Sequence, residues 1–411
     1  MDHRRRMGPR DLFSLSIFWF GLNFHWGALL AVIIPAEVLR FVPDAEKGRA
    51  LSLVFAGGAI IALIVQPIAG AISDHSRFAM GRRRPFMLVG GILNAIALVL
   101  LGMSPTFVAF IMVYWLVQFS NNLGGTAYSG LLPDLVPTDQ RGLASGWMGL
   151  MTMLGTIAGP VAAGLLLQRE YRIESYTLIA AVLLTALAVT VWLVKEPRPP
   201  AGGPFALGTF VRGFWVSPRE HPDFAWLFVA RILVLMGFYT VFDFVQFFLK
   251  DFMLIERFKE ATGTLSAVVV LGALPSAYAG GWLSDRMDRR GIVSGAGVLM
   301  ASTCLLFLIA PSWLLLLGLA VVFGLGYGAF TSVDWALAID VLPSADAAAK
   351  DLGIWGIAAT LPQVLAPLIG GPLLDAFNRR EPKFGYVVLL MIAAAYLLAG
   401  SALVWKIRRK R

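Results

Sequence analysis

Long apolar runs, bounded by charges or by Pro/Gly clusters, recur twelve times along the chain: 12–39, 49–73, 85–103, 106–133, 142–168, 174–195, 223–249, 262–284, 291–310, 312–342, 350–376 and 384–406. A helix needs about 20 mostly apolar residues to cross the hydrocarbon of a bilayer. The pattern therefore predicts twelve membrane-spanning helices. Barrel strands would show short segments of apolar/polar alternation instead, and these runs do not. The first run follows MDHRRRMGPRD directly. It is longer than the apolar region of a signal peptide and lacks a small-residue cleavage site, so it is expected to remain as a span.

Composition agrees. Of 411 residues 58% are hydrophobic and only 14% charged, far from the balance of a soluble globule. The single cysteine, Cys304, excludes a disulfide framework. The net charge of +9 would suggest nucleic acid in a soluble protein, but here its placement carries the meaning. With the amino terminus in the cytoplasm, 22 of the 34 Lys and Arg fall on that side and 11 on the other, with Arg231 inside a span. This positive-inside bias predicts a multi-pass protein of the inner or plasma membrane with both termini cytoplasmic.

The runs also repeat. The longest loop, 196–222, is rich in Pro and Gly and follows the sixth span. It reads as a linker between two six-helix halves, 1–195 and 223–411. Ser73-Asp74 after the second span matches Ser284-Asp285 after the eighth, Asp134 and Pro137 match Asp340 and Pro343, and Gly149 and Pro160 match Gly356 and Pro367. The predicted fold class is an all-α membrane protein of two pseudo-symmetric six-helix bundles, in which a substrate site lies near the midplane between the repeats.

In the loop between spans two and three, Gly70-Ala71-Ile72-Ser73-Asp74 is followed by Gly81-Arg82-Arg83-Arg84-Pro85-Phe86. This resembles the loop signature of the major facilitator superfamily. Its eight-residue step, ending GRRRPF, resembles the proton-coupled sucrose transporters of the glycoside–pentoside–hexuronide:cation symporter group. GLNFHWGALLAVIIP in the first span is similar to that group's G-x-Q-F-x-W. Trp115, Asn121-Asn122 and Leu132-Pro133-Asp134-Leu135 resemble its W-x-x-D-x-x-N-N…A-D-L. The resemblance implies the major facilitator fold and sugar/proton symport by a monomer. Two positions depart from it. The acid associated with the coupling proton is Gln118 here, which cannot titrate, and the group's fifth-span arginine has no counterpart.

Asp74 at a helix end facing Arg82, Arg83 and Arg84 can form an ion-pair latch that opens and closes with access. Asp285 with Arg286, Arg289 and Arg290 is its expected partner, and Asp134 and Asp340 join the same cytoplasmic gate. Arginines that only set topology are the alternative. Within spans, charges are costly and mark solute or proton paths. These are His25, Arg231, Asp243 and Asp334, with Glu37 near the outer end of the first span. His25, Asp243 and Asp334 are the proton or cation candidates, although Arg231 can instead pair structurally with Asp334. Sugar hydroxyls call for amides and aromatic faces. Asn23, His25, Trp26, Tyr114, Gln118, Asn121, Asn122, Tyr239, Trp335 and Gln363 are the expected substrate contacts, with Tyr128, Gln246 and Trp355 as further candidates. Gln118, Asn121 and Asn122 share one helix face. Polar groups that merely hold membrane helices together are the alternative.

Gly324-Leu325-Gly326-Tyr327-Gly328 imitates a dinucleotide loop but lies inside a span, where close helix packing accounts for it. No phosphate-binding loop is present, and the four histidines have no metal spacing. The expectation is a secondary transporter, not an enzyme, with no cofactor and no nucleic-acid partner. It moves a small polar solute, a sugar with a proton, within the lipid bilayer. Export of amphipathic compounds, or a transport-inactive sensor or assembly factor, are the rival readings.

Overall fold

A computed structural model describes residues 6–76, 78–196, 217–310, 312–341 and 348–408. The linker at 197–216 and Pro343 lie outside these. Among the described residues, twelve helices are long and apolar enough to cross a membrane. In chain order α1 to α12 are Pro9–Phe41, Lys47–His75, Arg84–Gly102, Phe107–Ser129, Arg141–Gln168, Arg172–Leu193, Pro222–Phe252, Phe258–Ser284, Arg289–Phe307, Trp313–Ala338, Trp355–Arg380 and Phe384–Lys406. No strand occurs among the described residues. The protein is an all-helical, multi-pass membrane protein.

Local chemistry sets the helix ends. Pro9 and Pro222 open α1 and α7, where a missing N–H costs nothing. Thr106, Asp288 and Ser312 accept backbone N–H groups at the starts of α4, α9 and α10. Large apolar side chains such as Val108, Ile309 and Leu314 stay exposed at 66–78%, as suits surfaces solvated by lipid tails. The first helix of each repeat carries one π-helical turn, Leu29–Ile33 in α1 and Phe248–Phe252 in α7. Such turns break the regular hydrogen-bond ladder and often lie beside functional groups.

The chain forms two compact units. The first holds α1, α2 from Gly57 onward, α3 to α6, and Arg257–Thr264. Its centre is α1, packed on α5 and α6. Gly155 and Gly159 of α5 lie where an added Cβ would fall 2.5 and 2.2 Å from Phe20 and Phe24 carbonyls of α1, so only glycine permits that approach. The second unit holds Val42–Ala56 and the remainder of α7 to α12. There Gly324 and Gly328 lie against α8, and Gly326 against α9. The glycine run is a packing surface.

Candidate functional site

In the first unit, α4 carries an amide ladder on one face. Gln118 Nε2 donates to Tyr114 Oη at 2.7 Å, and Asn122 Nδ2 donates to Gln118 Oε1 at 3.1 Å. Gln66 of α2 donates to Asn122 Oδ1 at 2.8 Å, and Trp26 of α1 donates to Asn121 Oδ1 at 3.0 Å. All three α4 amides are less than one-tenth exposed. The ladder forms because α2 comes close: an added Cβ on Gly58 would sit 2.5 Å from the Tyr114 ring and 2.9 Å from Gln118. Asn121 Nδ2 has no hydrogen-bond partner among the described residues. His25 is fully buried, edge-on to Trp26 at 4.6 Å, and neither ring nitrogen has a partner there. Trp26, Tyr114, Gln118, Asn121 and Asn122 are thus brought together, and Gln66 joins them. Asn23 does not, since its amide donates back to the Trp19 carbonyl of its own helix.

In the second unit, Arg231 of α7 forms an ion pair with Asp334 of α10, and its guanidinium lies 4.6 Å over the buried Trp355 ring. This is the structural pairing that the sequence left open. Asp243 takes part in no ion pair among the described residues, and its Oδ2 has no hydrogen-bond partner there. Gln246, one turn along, is fully buried with both amide atoms unpartnered. Tyr239, one turn the other way, lies against Gln363. Trp335 stays apart from this group. It is 48% exposed, turned about 100° round the helix from the buried Asp334.

At the α2–α3 loop, Arg83 pairs with Asp74 and, through Nε at 3.1 Å, with Asp134, while its Nη1 donates to Ser73 Oγ. Arg82 also pairs with Asp134. Burial pushes the Asp134 carboxyl up, but the Arg82 hydrogen bond and the Arg83 charge more than reverse this and hold it below the usual range. Gly81 turns the loop at φ +108°, a conformation that favours glycine. Glu196 accepts the backbone N–H groups of Arg82, Arg83 and Arg84 at 3.0–3.2 Å. The sequence reading missed Glu196; an acid just past a span, facing a helix start, was the available signal. The Arg84 guanidinium does not join the acids but donates to the Val191 carbonyl.

The second repeat keeps part of this pattern. Arg289 Nη1 meets Asp340 at 2.5 Å, and Asp285 lies 3.7 Å from Arg289. Arg286 is a correction to the expected latch: no acid pairs with it among the described residues, and it stacks 3.7 Å over Trp282, one turn back. Arg290 pairs with Asp288 rather than with Asp285.

Two further networks involve Glu37, singled out in the sequence as an acid near the outer end of the first span, and Lys47, which the sequence counted only toward the charge bias. Buried Glu37 binds Arg40 at 2.7 Å and Arg172 at 2.6 Å. In the second unit, buried Lys47 pairs with Asp251 and Asp44. There Asp375 of α11 accepts the N–H groups of Gly48 and Arg49 at 2.9 and 2.8 Å, at the start of α2.

Twelve spans in two compact units, with paired acid–arginine clusters after α2 and α8, define a transporter of the major facilitator class. The family model described as "MFS/sugar transport protein" matches residues 47–347, and the chain belongs to that family. The chain is 24% identical over 260 residues to the general alpha-glucoside permease of Schizosaccharomyces pombe, covering 57% of this chain and 46% of that one. It is 32% identical over 165 residues to the sucrose transport protein SUC3 of Arabidopsis thaliana, covering 34% and 27%. Those matches span less than half of the sugar-transporting relatives. It is also 24% identical over 342 residues to the multi-drug resistance efflux pump PmrA of Streptococcus pneumoniae, covering 81% and 82%. Among solved structures, the nucleoside transporter NupG has a TM-score of 0.78 at 15% identity, covering 97% of this chain and all of that one. A bacterial homolog of the lysosomal transporter Spinster, inward-facing and unoccupied, has 0.73 at 16%, covering 98% and 99%. These structures share the fold.

Proposed function

We propose that the chain is a secondary active transporter that moves a sugar or glycoside in symport with a proton by alternating access. Its halves are 1–195 and 223–411, joined by a linker at 196–222, and it works as a monomer with both termini in the cytoplasm. The observation that carries this reading is the buried ladder of Tyr114, Gln118, Asn121, Asn122 and Gln66 with Trp26. Neutral amides beside an aromatic face suit a polyhydroxylated solute better than a charged or purely apolar one. The sucrose and alpha-glucoside relatives support the same solute class. Asp243 is the proposed proton carrier, because burying an unpaired charge is costly and a proton removes that cost for a carboxylate. A proton would create that cost on the buried His25, which is proposed instead as a neutral hydrogen-bonding contact for the solute. Tyr239, Gln246 and Gln363 are the proposed contacts in the second unit. The clusters of Asp74, Arg82, Arg83 and Asp134, and of Asp285, Arg289 and Asp340, are the proposed cytoplasmic latches.

The test is uptake of radiolabelled disaccharides into proteoliposomes. Accumulation driven by an inward proton gradient, and lost in Asn121→Ala, supports symport. Uptake of no sugar, or uptake indifferent to the gradient, overturns it. The match to an efflux pump over most of the chain favours one second reading, export of amphipathic compounds. Resistance of cells expressing the protein to such compounds, without sugar uptake, would select it.

A further inference from the structure

Basic residues at one end of the second unit divide into two sets. Arg289 is held by Asp340 and Asp285, and Arg290 by Asp288 and the Ile407 carbonyl. Lys406 and Arg408 have no ion pair among the described residues, and the Arg408 backbone N–H occupies Asp223 at 3.0 Å. Asp340, Asp285 and Asp288 are thus engaged by Arg289 and Arg290, while Lys406 and Arg408 keep their charge. Lys406 Nζ stands 4.1 Å over the Trp226 ring. Trp405 is about half exposed, its indole N–H donates to Ser294 Oγ at 3.1 Å, and Arg290 lies 5.5 Å over its ring. Arg286 over the half-exposed Trp282 repeats the motif on the α8 end. Tryptophans at span ends lie at headgroup depth, and each ring here holds a cation at that depth. Topology alone asks only for charge on one side. It does not explain why Arg289 and Arg290 are neutralised while Lys406 and Arg286, with no ion pair among the described residues, stand on indole faces.

We propose that Lys406 and Arg408, with Trp226 and Trp405, form a site for the headgroup phosphate of an anionic phospholipid. The cations supply charge and N–H donors to the phosphate oxygens. The indoles hold the glycerol backbone and upper acyl chain, and the contact with the Trp226 ring keeps Lys406 raised at the interface. The site is independent of the transported solute.

Native mass spectrometry of the protein in mixed phosphatidylcholine and phosphatidylglycerol tests it. The wild type is expected to retain phosphatidylglycerol preferentially, and the double variant Lys406→Gln/Arg408→Gln to lose that preference by roughly fivefold per cation removed. Equal retention of the two lipids by the wild type overturns the proposal even if the double variant fails to fold. So does a folded double variant that keeps the preference, or displacement of the lipid by inorganic phosphate alone, which would mark a soluble-anion site.

Discussion

Asp334 and Asp243 are both buried acids of the second unit, and they answer to different physics. Asp334 has a countercharge in Arg231. Truncating one member of a buried pair leaves the other uncompensated, so Asp334→Ala is expected to cost about 3–5 kcal/mol of stability. Arg231→Met combined with Asp334→Leu should recover much of that, and thermal denaturation in detergent measures both. A loss below about 1 kcal/mol for the single change would remove the structural role. Asp243 has no ion pair to lose among the described residues. Asp243→Asn is expected to leave stability unchanged or raised, to abolish gradient-driven accumulation and to spare solute exchange across proteoliposomes. Loss of exchange as well would make Asp243 a solute contact rather than a proton carrier. The sequence made both acids conspicuous because charges are rare inside spans. It could not show that Arg231 reaches Asp334, 103 residues away, since hydropathy fixes depth along a helix and not the neighbour across it.

At the level of elements, span existence was legible and span contacts were not. A run of apolar residues fixes a helix whatever it touches, whereas close approaches depend on which small residue faces which neighbour. Gly58 shows this. Its position against Tyr114 and Gln118 holds the amide ladder to α2, yet in sequence it is one glycine among 42. Gly58→Val is expected to lower solute affinity more than stability, because the displaced groups are the ladder itself; binding isotherms and melting curves of the same preparation separate the two. Asp375 is the other case. It reads as a charge near the end of a run, but it caps the start of α2 through two N–H bonds. Asp375→Ala is expected to cost about 1–2 kcal/mol, the usual loss for a helix N-cap, with Asp375→Asn intermediate. The buried Cys304 is the chain's single cysteine. A cysteine placed at Ser52 therefore reports by maleimide labelling whether this end of α2 loosens.

The whole molecule responds to acid through its loop cluster, and the sign follows from Asp134. Its carboxyl is held below the ordinary range despite burial, by the Arg82 hydrogen bond and the Arg83 charge. A depressed carboxylate contributes stability that is fully present above the unfolded pKa of about 3.9 and is lost as pH falls through the lower folded value. Asp44 is also lowered: burial raises it, but the Lys250 hydrogen bond and the Lys47 charge outweigh this. At 65% side-chain exposure it contributes little. The melting temperature is therefore expected to show no Asp134-dependent change between about pH 5 and 8, and to fall below about pH 4. Asp134→Asn should lower stability on the plateau and flatten the acid arm, because the variant has no proton to take up. An Asp134-dependent slope between pH 5 and 8 would contradict the ion-paired geometry. The same reasoning separates latch from coupling. Asp134 keeps its charge throughout the physiological range, so a proton-driven cycle does not open its pairing with Arg82 and Arg83 by titrating that acid. In the proposed symport the proton therefore acts at another group than Asp134, and the proposed latch follows as a consequence of movement.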